Sequence, residues 1–297
     1  MRVFVTGGTG FIGKHVVNEL LMHGHEVLIL SRNKTKSFND KVNVIHANLA
    51  DISSIRESFQ QNPPDVFLHL AWYAEPVEYV HSPLNVDYLV WSLELLKLIV
   101  ETDCKKIIMA GTCAEYNFID KKNKILEEDS LLPTNLYSAS KLSLYYASNE
   151  LLKLNDLPFT WGRVFFPYGP GEDSRRVVAA LITSLLNNQR FKASEGRQVR
   201  DYIHVHDIAT AFVRLVDSDI TGCVNICSGE PVTIRKLMET VGKLTGKSDF
   251  IDYGALPYRE WDPAYICGNN DKLLSIGWKP KYNLEEGLRN MILSYEV

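Results

Sequence analysis

Short apolar runs alternate with longer amphipathic ones through the first part of the chain. Val3–Thr6, Val27–Leu30, Val42–His46, Val66–Leu70, Lys106–Ala110 and Phe159–Val164 are brief and rich in aliphatic residues, the texture of strands buried on both faces. Between them Phe11–His23, Ile52–Gln61, Leu84–Glu101 and Thr134–Asn155 carry apolar residues at helical spacing. Gly24 closes the first of these and Pro63-Pro64 stops the second. This alternation predicts an α/β fold, a Rossmann-type doubly wound parallel sheet covered by helices on both faces. After Tyr168 turn signals crowd in (YGPGED, SEGRQ, SGEP, LTGKS), with shorter elements and helices expected near Val177–Asn187, His206–Asp217, Thr233–Thr245 and Leu284–Ser294. We therefore expect a nucleotide-binding domain over residues 1–168. A smaller C-terminal α/β lobe over 169–297 should hold the substrate, and from it the chain can cross back to the main sheet.

Composition narrows the partners. A formal charge of −4, with no basic stripe, speaks against nucleic acid. No apolar run approaches the ~18 residues of a membrane span, and the first residues read as a strand rather than a targeting signal, so a cytoplasmic protein without a membrane partner is expected. The five cysteines, Cys104, Cys113, Cys223, Cys227 and Cys267, form no CxxC and no metal-ligand set. Free thiols and no metal site follow.

The turn after the first strand reads Gly7-Gly8-Thr9-Gly10-Phe11-Ile12-Gly13. The first glycine of Gly7-x-x-Gly10-x-x-Gly13 allows a tight turn. The second admits a pyrophosphate close to the backbone, and the third lets helix pack on strand. The helix N-terminus then faces the phosphates with unpaired N–H groups. The second strand ends Ser31-Arg32-Asn33, without the carboxylate that binds the adenosine ribose of NAD. Ser31 and Arg32, with Lys34 and Lys36 beyond, suit a 2′-phosphate, so NADP(H) is expected over NAD(H). The alternative is a solvated loop arginine.

Tyr137-Ser138-Ala139-Ser140-Lys141 puts a phenol and an ammonium one helical turn apart. A nearby cation favours phenolate and makes tyrosine a better acid–base group at neutral pH.

With these motifs the chain resembles the extended short-chain dehydrogenase/reductase family, in its nucleotide-sugar branch. His69-Leu70-Ala71, Gly111-Thr112-Cys113-Ala114-Glu115-Tyr116, Arg163–Pro170, Arg200–Asp207, Asn225–Glu230 and Gly277-Trp278-Lys279-Pro280 extend the likeness over nearly the whole chain. The resemblance implies Thr112, Tyr137 and Lys141 as catalytic residues. Around the cofactor it implies Gly7, Gly10, Phe11, Ile12, Gly13, Ser31, Arg32, Asn48, Leu49, Leu70, Ala71, Trp72, Tyr137, Lys141 and Phe165. Around a nucleotide-diphosphate sugar it implies Tyr73, Thr112, Phe166, Arg200 and Arg259, the two arginines meeting the diphosphate unless they pair with local acids such as Asp201 and Glu260. His204 and His206 read as packing and capping residues. The family also commonly dimerises through helices matching Leu84–Glu101 and Thr134–Asn155, with Leu89, Trp91, Leu95, Leu142 and Tyr146 offered as contacts.

Cys113 and Ala114 stand where 4,6-dehydratases carry an Asp-Glu pair, which argues against dehydration. The missing acid on strand two, Phe166 in place of an asparagine, and Trp72-Tyr73 in place of small residues favour a 4-ketoreductase of a nucleotide-linked 4-keto-6-deoxy sugar. The alternatives are a 4-epimerase retaining NAD and a catalytically silent NADP-binding sensor or scaffold. The last is disfavoured because both Tyr137 and Lys141 are present. The nucleobase and the C4 configuration are set by loop geometry around Trp72, Tyr73, Glu115, Phe166 and Arg175.

Overall fold

The computed structural model describes residues 1–32, 42–61, 63–258 and 262–295. Asn33, Lys34, Lys36, Arg259 and Glu260 lie outside them. Strands β1 (Arg2–Thr6), β2 (Glu26–Ser31), β3 (Val42–His46), β4 (Val66–His69), β5 (Lys106–Thr112) and β6 (Phe159–Val164) join a strand at Gly222–Ile226. Together they form a seven-stranded sheet in the order Gly222–Ile226, β6, β5, β4, β1, β2, β3. β1 to β6 run parallel. Connections wind outward from β1 in one direction to β3 and from β4 in the other to β6, so the order reverses between β1 and β4. In doubly wound sheets ligands bind at the carboxyl ends of such a pair.

Helices α1 (Phe11–Met22), α2 (Ile52–Gln61), α3 (Leu84–Val100) and α4 (Leu136–Lys153) supply the crossovers. α4 begins at Leu136 rather than Thr134 because Asn135 caps it. The Asn135 side chain accepts the Ser138 N–H at 2.9 Å, and the Ser138 hydroxyl answers from the Asn135 N–H. Every residue of β4 and β6 is buried, as strands covered on both faces require. Phe4, Phe67, Leu95, Ile99, Ile107, Met109 and Trp161 form the centre of one core.

The chain divides into two compact units that interleave in sequence. The first holds Met1–Asn117, Ser130–Val164 and Ala209–Val224. The second holds Phe118–Asp129, Phe165–Ile208 and Asn225–Val297. Within the first, the returning stretch is fastened by Thr160 Oγ1, which donates to the Ile220 carbonyl at 2.7 Å, and by the Lys106 ammonium, which donates to the carbonyls of Leu215 and Ser218. The second unit has its own core around Tyr168, Leu181, Ile182, Leu237, Val241, Leu288 and Met291.

Two residues offered as dimer contacts turn inward: Leu95 is fully buried and Leu142 nearly so. The exposed apolar residues of α3 are Leu84, Val86 and Val90, and on α4 Tyr146 is exposed. The five cysteines are free. Among the described residues no helix is long and apolar enough to cross a membrane, and no three His, Cys, Asp or Glu side chains gather as a metal set.

Candidate active site

The glycine turn is shaped by backbone crowding. Gly7 has φ +72°, and a Cβ there would stand 2.7 Å from the Ala71 nitrogen and 2.8 Å from the Leu70 carbonyl carbon. Only glycine combines that backbone with so close an approach of the β1 and β4 ends. At Gly13 a Cβ would fall 2.0 Å from the Gly7 carbonyl oxygen. The N-cap of α1 is Gly10, which offers no side-chain cap, and the first helical bond runs from Lys14 N–H to Gly10 at 3.1 Å. The N–H groups of Phe11, Ile12 and Gly13 have no acceptor within the helix, and both Phe11 and Ile12 are partly open to solvent. This donor set fits the pyrophosphate of a dinucleotide.

At the end of β4 His69 is fully buried in a directed chain of hydrogen bonds. The Ala71 N–H donates to Thr6 Oγ1 at 3.3 Å, and Thr6 Oγ1 meets His69 Nδ1 at 2.7 Å. His69 Nε2 meets Ser92 Oγ at 2.9 Å, and Ser92 donates to the Tyr88 carbonyl at 2.5 Å. With Ser92 donating onward, His69 donates from Nε2 and accepts at Nδ1, the neutral tautomer. Burial, then the charge of Lys141, lower its pKa to about 3. Leu70 and Ala71 are partly exposed beside the glycine turn, whereas His69 is a structural residue behind them.

β5 ends in Thr112, which caps a single 3-10 turn, Cys113–Glu115: Thr112 Oγ1 accepts the Ala114 N–H at 3.2 Å, and the Glu115 carboxylate accepts the Thr112 N–H at 2.9 Å. Glu115 is entirely buried. Its oxygens also accept from Trp161 Nε1 at 3.0 and 3.1 Å and from Arg163 Nε at 2.7 Å. Arg163, 1% exposed, donates further to the Tyr116 hydroxyl at 3.0 Å. Burial pushes the Glu115 carboxyl up against the pull of Arg163. Burial lowers Arg163, but Glu115 together with Tyr116 and Cys223 more than offsets it and keeps the guanidinium charged. Trp161 and Arg163 lie two apart on β6 and therefore share a face.

Tyr137 sits in the first turn of α4 and Lys141 one turn on. The Tyr137 N–H bonds the Val80 carbonyl at 3.2 Å, and the ring packs edge-on against Tyr79 with centroids 4.9 Å apart. Tyr137 is partly open to solvent, yet enough protein surrounds its hydroxyl that desolvation pushes the phenol pKa above its ordinary range. The Thr112 hydroxyl beside it opposes that push. Tyr79, Cys113 and Glu115 add to the push. Lys141 is buried. Its ammonium donates to the Ala110 carbonyl at 2.8 Å and lies 4.1 Å from the Trp72 ring centroid. Burial lowers its pKa to about 7, against the attraction of Glu115.

Ser31 is buried at the end of β2, and Arg32 beyond it is exposed. Asn48 is exposed and accepts the Ala50 N–H at 3.3 Å, while Leu49 points into the core. The Tyr73 hydroxyl donates to Glu78 at 2.9 Å.

In the second unit Arg200 is nearly buried. Its guanidinium donates to the Val199 carbonyl at 2.7 Å and to the Asp262 carboxylate, and lies 5.6 Å from the ring of partly exposed Phe166. Among the described residues its acidic partner is Asp262 rather than Asp201. Asp201 instead gathers the N–H groups of Ser228, Gly229 and Gly268 and the Ser228 hydroxyl, at 2.7–3.1 Å. Phe165 is buried, with its N–H on the Ile226 carbonyl at 3.0 Å and its ring against Gly268. Arg175 pairs with Asp173 at the surface.

A doubly wound sheet with a glycine turn at its switch point and a Thr–Tyr–Lys set at the end of β5 defines a nucleotide-dependent α/β enzyme class. Residues 3–227 match the NAD dependent epimerase/dehydratase family, and the chain belongs to it. Among curated relatives, a UDP-glucose 4-epimerase of Halalkalibacterium halodurans is 28% identical over 95% of this chain and 91% of its own length. Among solved structures, the UDP-glucose 4-epimerase of Thermotoga maritima, with UDP-glucose, superposes with a TM-score of 0.91 at 27% identity, covering 100% of this chain and 99% of that one. The UDP-glucose 4-epimerase of Thermus thermophilus, in complex with NAD, gives 0.89 at 27% identity, covering 100% and 99%. These relatives speak for the 4-epimerase alternative rather than for the ketoreductase, and the cofactor they name is NAD rather than NADP.

Proposed function

We propose that this chain is an NAD-dependent 4-epimerase of a nucleotide-diphosphate sugar. The observation that carries the reading is Thr112 beside the Tyr137 phenol, with Lys141 one turn on, in a chain that aligns nearly end to end with 4-epimerases. When bound, NAD supplies hydride acceptance and return at the sugar C4. The glycine turn and the N-terminus of α1 would hold its pyrophosphate, with Ser31 and Arg32 near its adenosine end. Tyr137 takes a proton from the C4 hydroxyl and gives it back, and Thr112 Oγ1 fixes the reacting oxygen. Lys141 holds the nicotinamide ribose and supplies positive charge beside the phenol. Arg200, already paired with Asp262, exchanges part of that pairing for the diphosphate, and Arg259 is the second cation offered to it. The second unit thereby serves as the nucleotide-sugar lobe, and the exposed Val86, Val90 and Tyr146 serve a homodimer through α3 and α4.

A second reading, the NADPH-dependent 4-ketoreductase, keeps one specific support: β2 ends in Ser31-Arg32 with no carboxylate. One experiment separates the two. Nucleotide released from the purified chain by denaturation is identified by chromatography, and the chain is then given UDP-glucose without added cofactor. Retained NAD and conversion to UDP-galactose support the epimerase. A cofactor-free chain that oxidises NADPH only with a nucleotide-linked 4-keto-6-deoxy sugar supports the ketoreductase. Tyr137→Phe lowers either turnover by about 10²–10⁴-fold, and near-normal turnover in that variant removes both.

A further inference from the structure

Lys141 is a buried ammonium with one neutral acceptor, the Ala110 carbonyl, and an indole face 4.1 Å away. The indole is itself pinned. Trp72 Nε1 donates to Asn85 Oδ1 at 2.8 Å, and Asn85, fully buried, donates from Nδ2 to the carbonyls of Tyr79 at 2.6 Å and Ser82 at 2.8 Å. Those two donations fix which way the amide points, and so aim its oxygen at the indole. Tyr88 closes the other side, its ring centroid 6.0 Å from that of Trp72.

We propose that Trp72 is a positioning residue for Lys141, holding the ammonium on its indole face and favouring the charged form. The inference rests on the role given to Lys141 above. A ring face attracts a cation most strongly when water is excluded, and Lys141 is only 3% exposed. The titratable groups around it cannot take over this task. His69, at the end of β4, is neutral, and a proton there would oppose the ammonium. Glu115, after β5, attracts it, but its carboxylate is committed to Arg163, Trp161 and Thr112. Tyr137, on the same helix, is held as a neutral phenol. Trp72 stands where small residues commonly follow the His-Leu-Ala segment of the family, so the device belongs to this chain's own sequence.

The test titrates Lys141 directly. The full chain is labelled with ¹⁵Nζ-lysine, and the Lys141 signal is assigned by its loss in Lys141→Arg. Site-specific mono-, di- and trifluorotryptophan at position 72 then withdraw density from the ring face while nearly preserving its shape. The expected result is a stepwise fall of the Lys141 pKa by roughly 0.4 to 1.5 units across the series. A pKa that stays constant overturns the proposal. Trp72→Leu is expected to lower the pKa further than Trp72→Phe, which keeps a ring face, and equal values in the two also overturn it. No substrate is present, so a chain that fails to turn over nucleotide sugars sinks the functional reading and leaves this result standing. A flat titration in an active epimerase does the reverse.

Discussion

The glycine turn after β1 and the end of β5 perform neighbouring tasks by opposite means. The turn is made of backbone: Gly7, Gly10 and Gly13 contribute by what they lack, and their spacing is fixed by contacts as short as 2.0 Å to a hypothetical Cβ. The β5 end is made of side chains. Thr112 is held by a buried carboxylate, which is held by a buried guanidinium and an indole. Crowded backbone tolerates almost no added atom. A network of charges tolerates atoms but not an unbalanced charge, because a buried ion left alone keeps its full desolvation cost.

Adding one methyl should break the first region outright. In Gly13→Ala the new carbon must displace the Gly7 carbonyl, which belongs to the turn itself, so calorimetric titration is expected to show no saturable NAD binding. Binding like that of the native chain would mean the turn can yield. Next in size is Glu115→Ala, which strands the Arg163 guanidinium and should cost about 3–5 kcal/mol in urea unfolding. The double change Glu115→Ala with Arg163→Met should recover part of that loss, and a double variant no better than the single one would show that the charge balance is not the cause. The smallest effect sharpens the comparison, because His69 touches both regions through Thr6 and the field of Lys141. Its folded pKa, about 3, lies below the ordinary histidine value. The unfolded chain therefore binds more protons between these limits, and stability is lost as pH falls below about 6.5. By pH 4.5 the loss from this group is about 2–3 kcal/mol. His69→Gln should flatten that portion of the acid profile, and an unchanged slope would assign it to carboxylates alone.

The asymmetry also explains what the sequence disclosed. A backbone task leaves a local signature, so the glycines, the strands around them and the Tyr137–Lys141 spacing were readable in order along the chain. Glu115 and Arg163 are 48 residues apart, and nothing in either segment names its partner. One clue was present: Phe159–Val164 is an apolar strand interrupted by an arginine, and a cation in a strand buried on both faces requires a buried anion. Asn85 and Trp72 escaped for the same reason, since their bond depends on the path of the intervening loop. The reading of Lys141 as the group that tunes Tyr137 followed helix spacing, and spacing carries no sign of the desolvation that acts on both groups.

The interleaving of the two units has a consequence for synthesis. β6 is flanked by β5 on one side and by Gly222–Ile226 on the other, so a nascent chain that has emerged only through Val164 carries an open sheet edge of bare amides and carbonyls. Such edges recruit other strands, and this one stays uncovered while the ribosome adds roughly sixty more residues, several seconds at ordinary elongation rates. Truncations ending between those points should be sticky, and a chaperone that shields β6 during that interval would raise the yield of full-length product more than one acting after release.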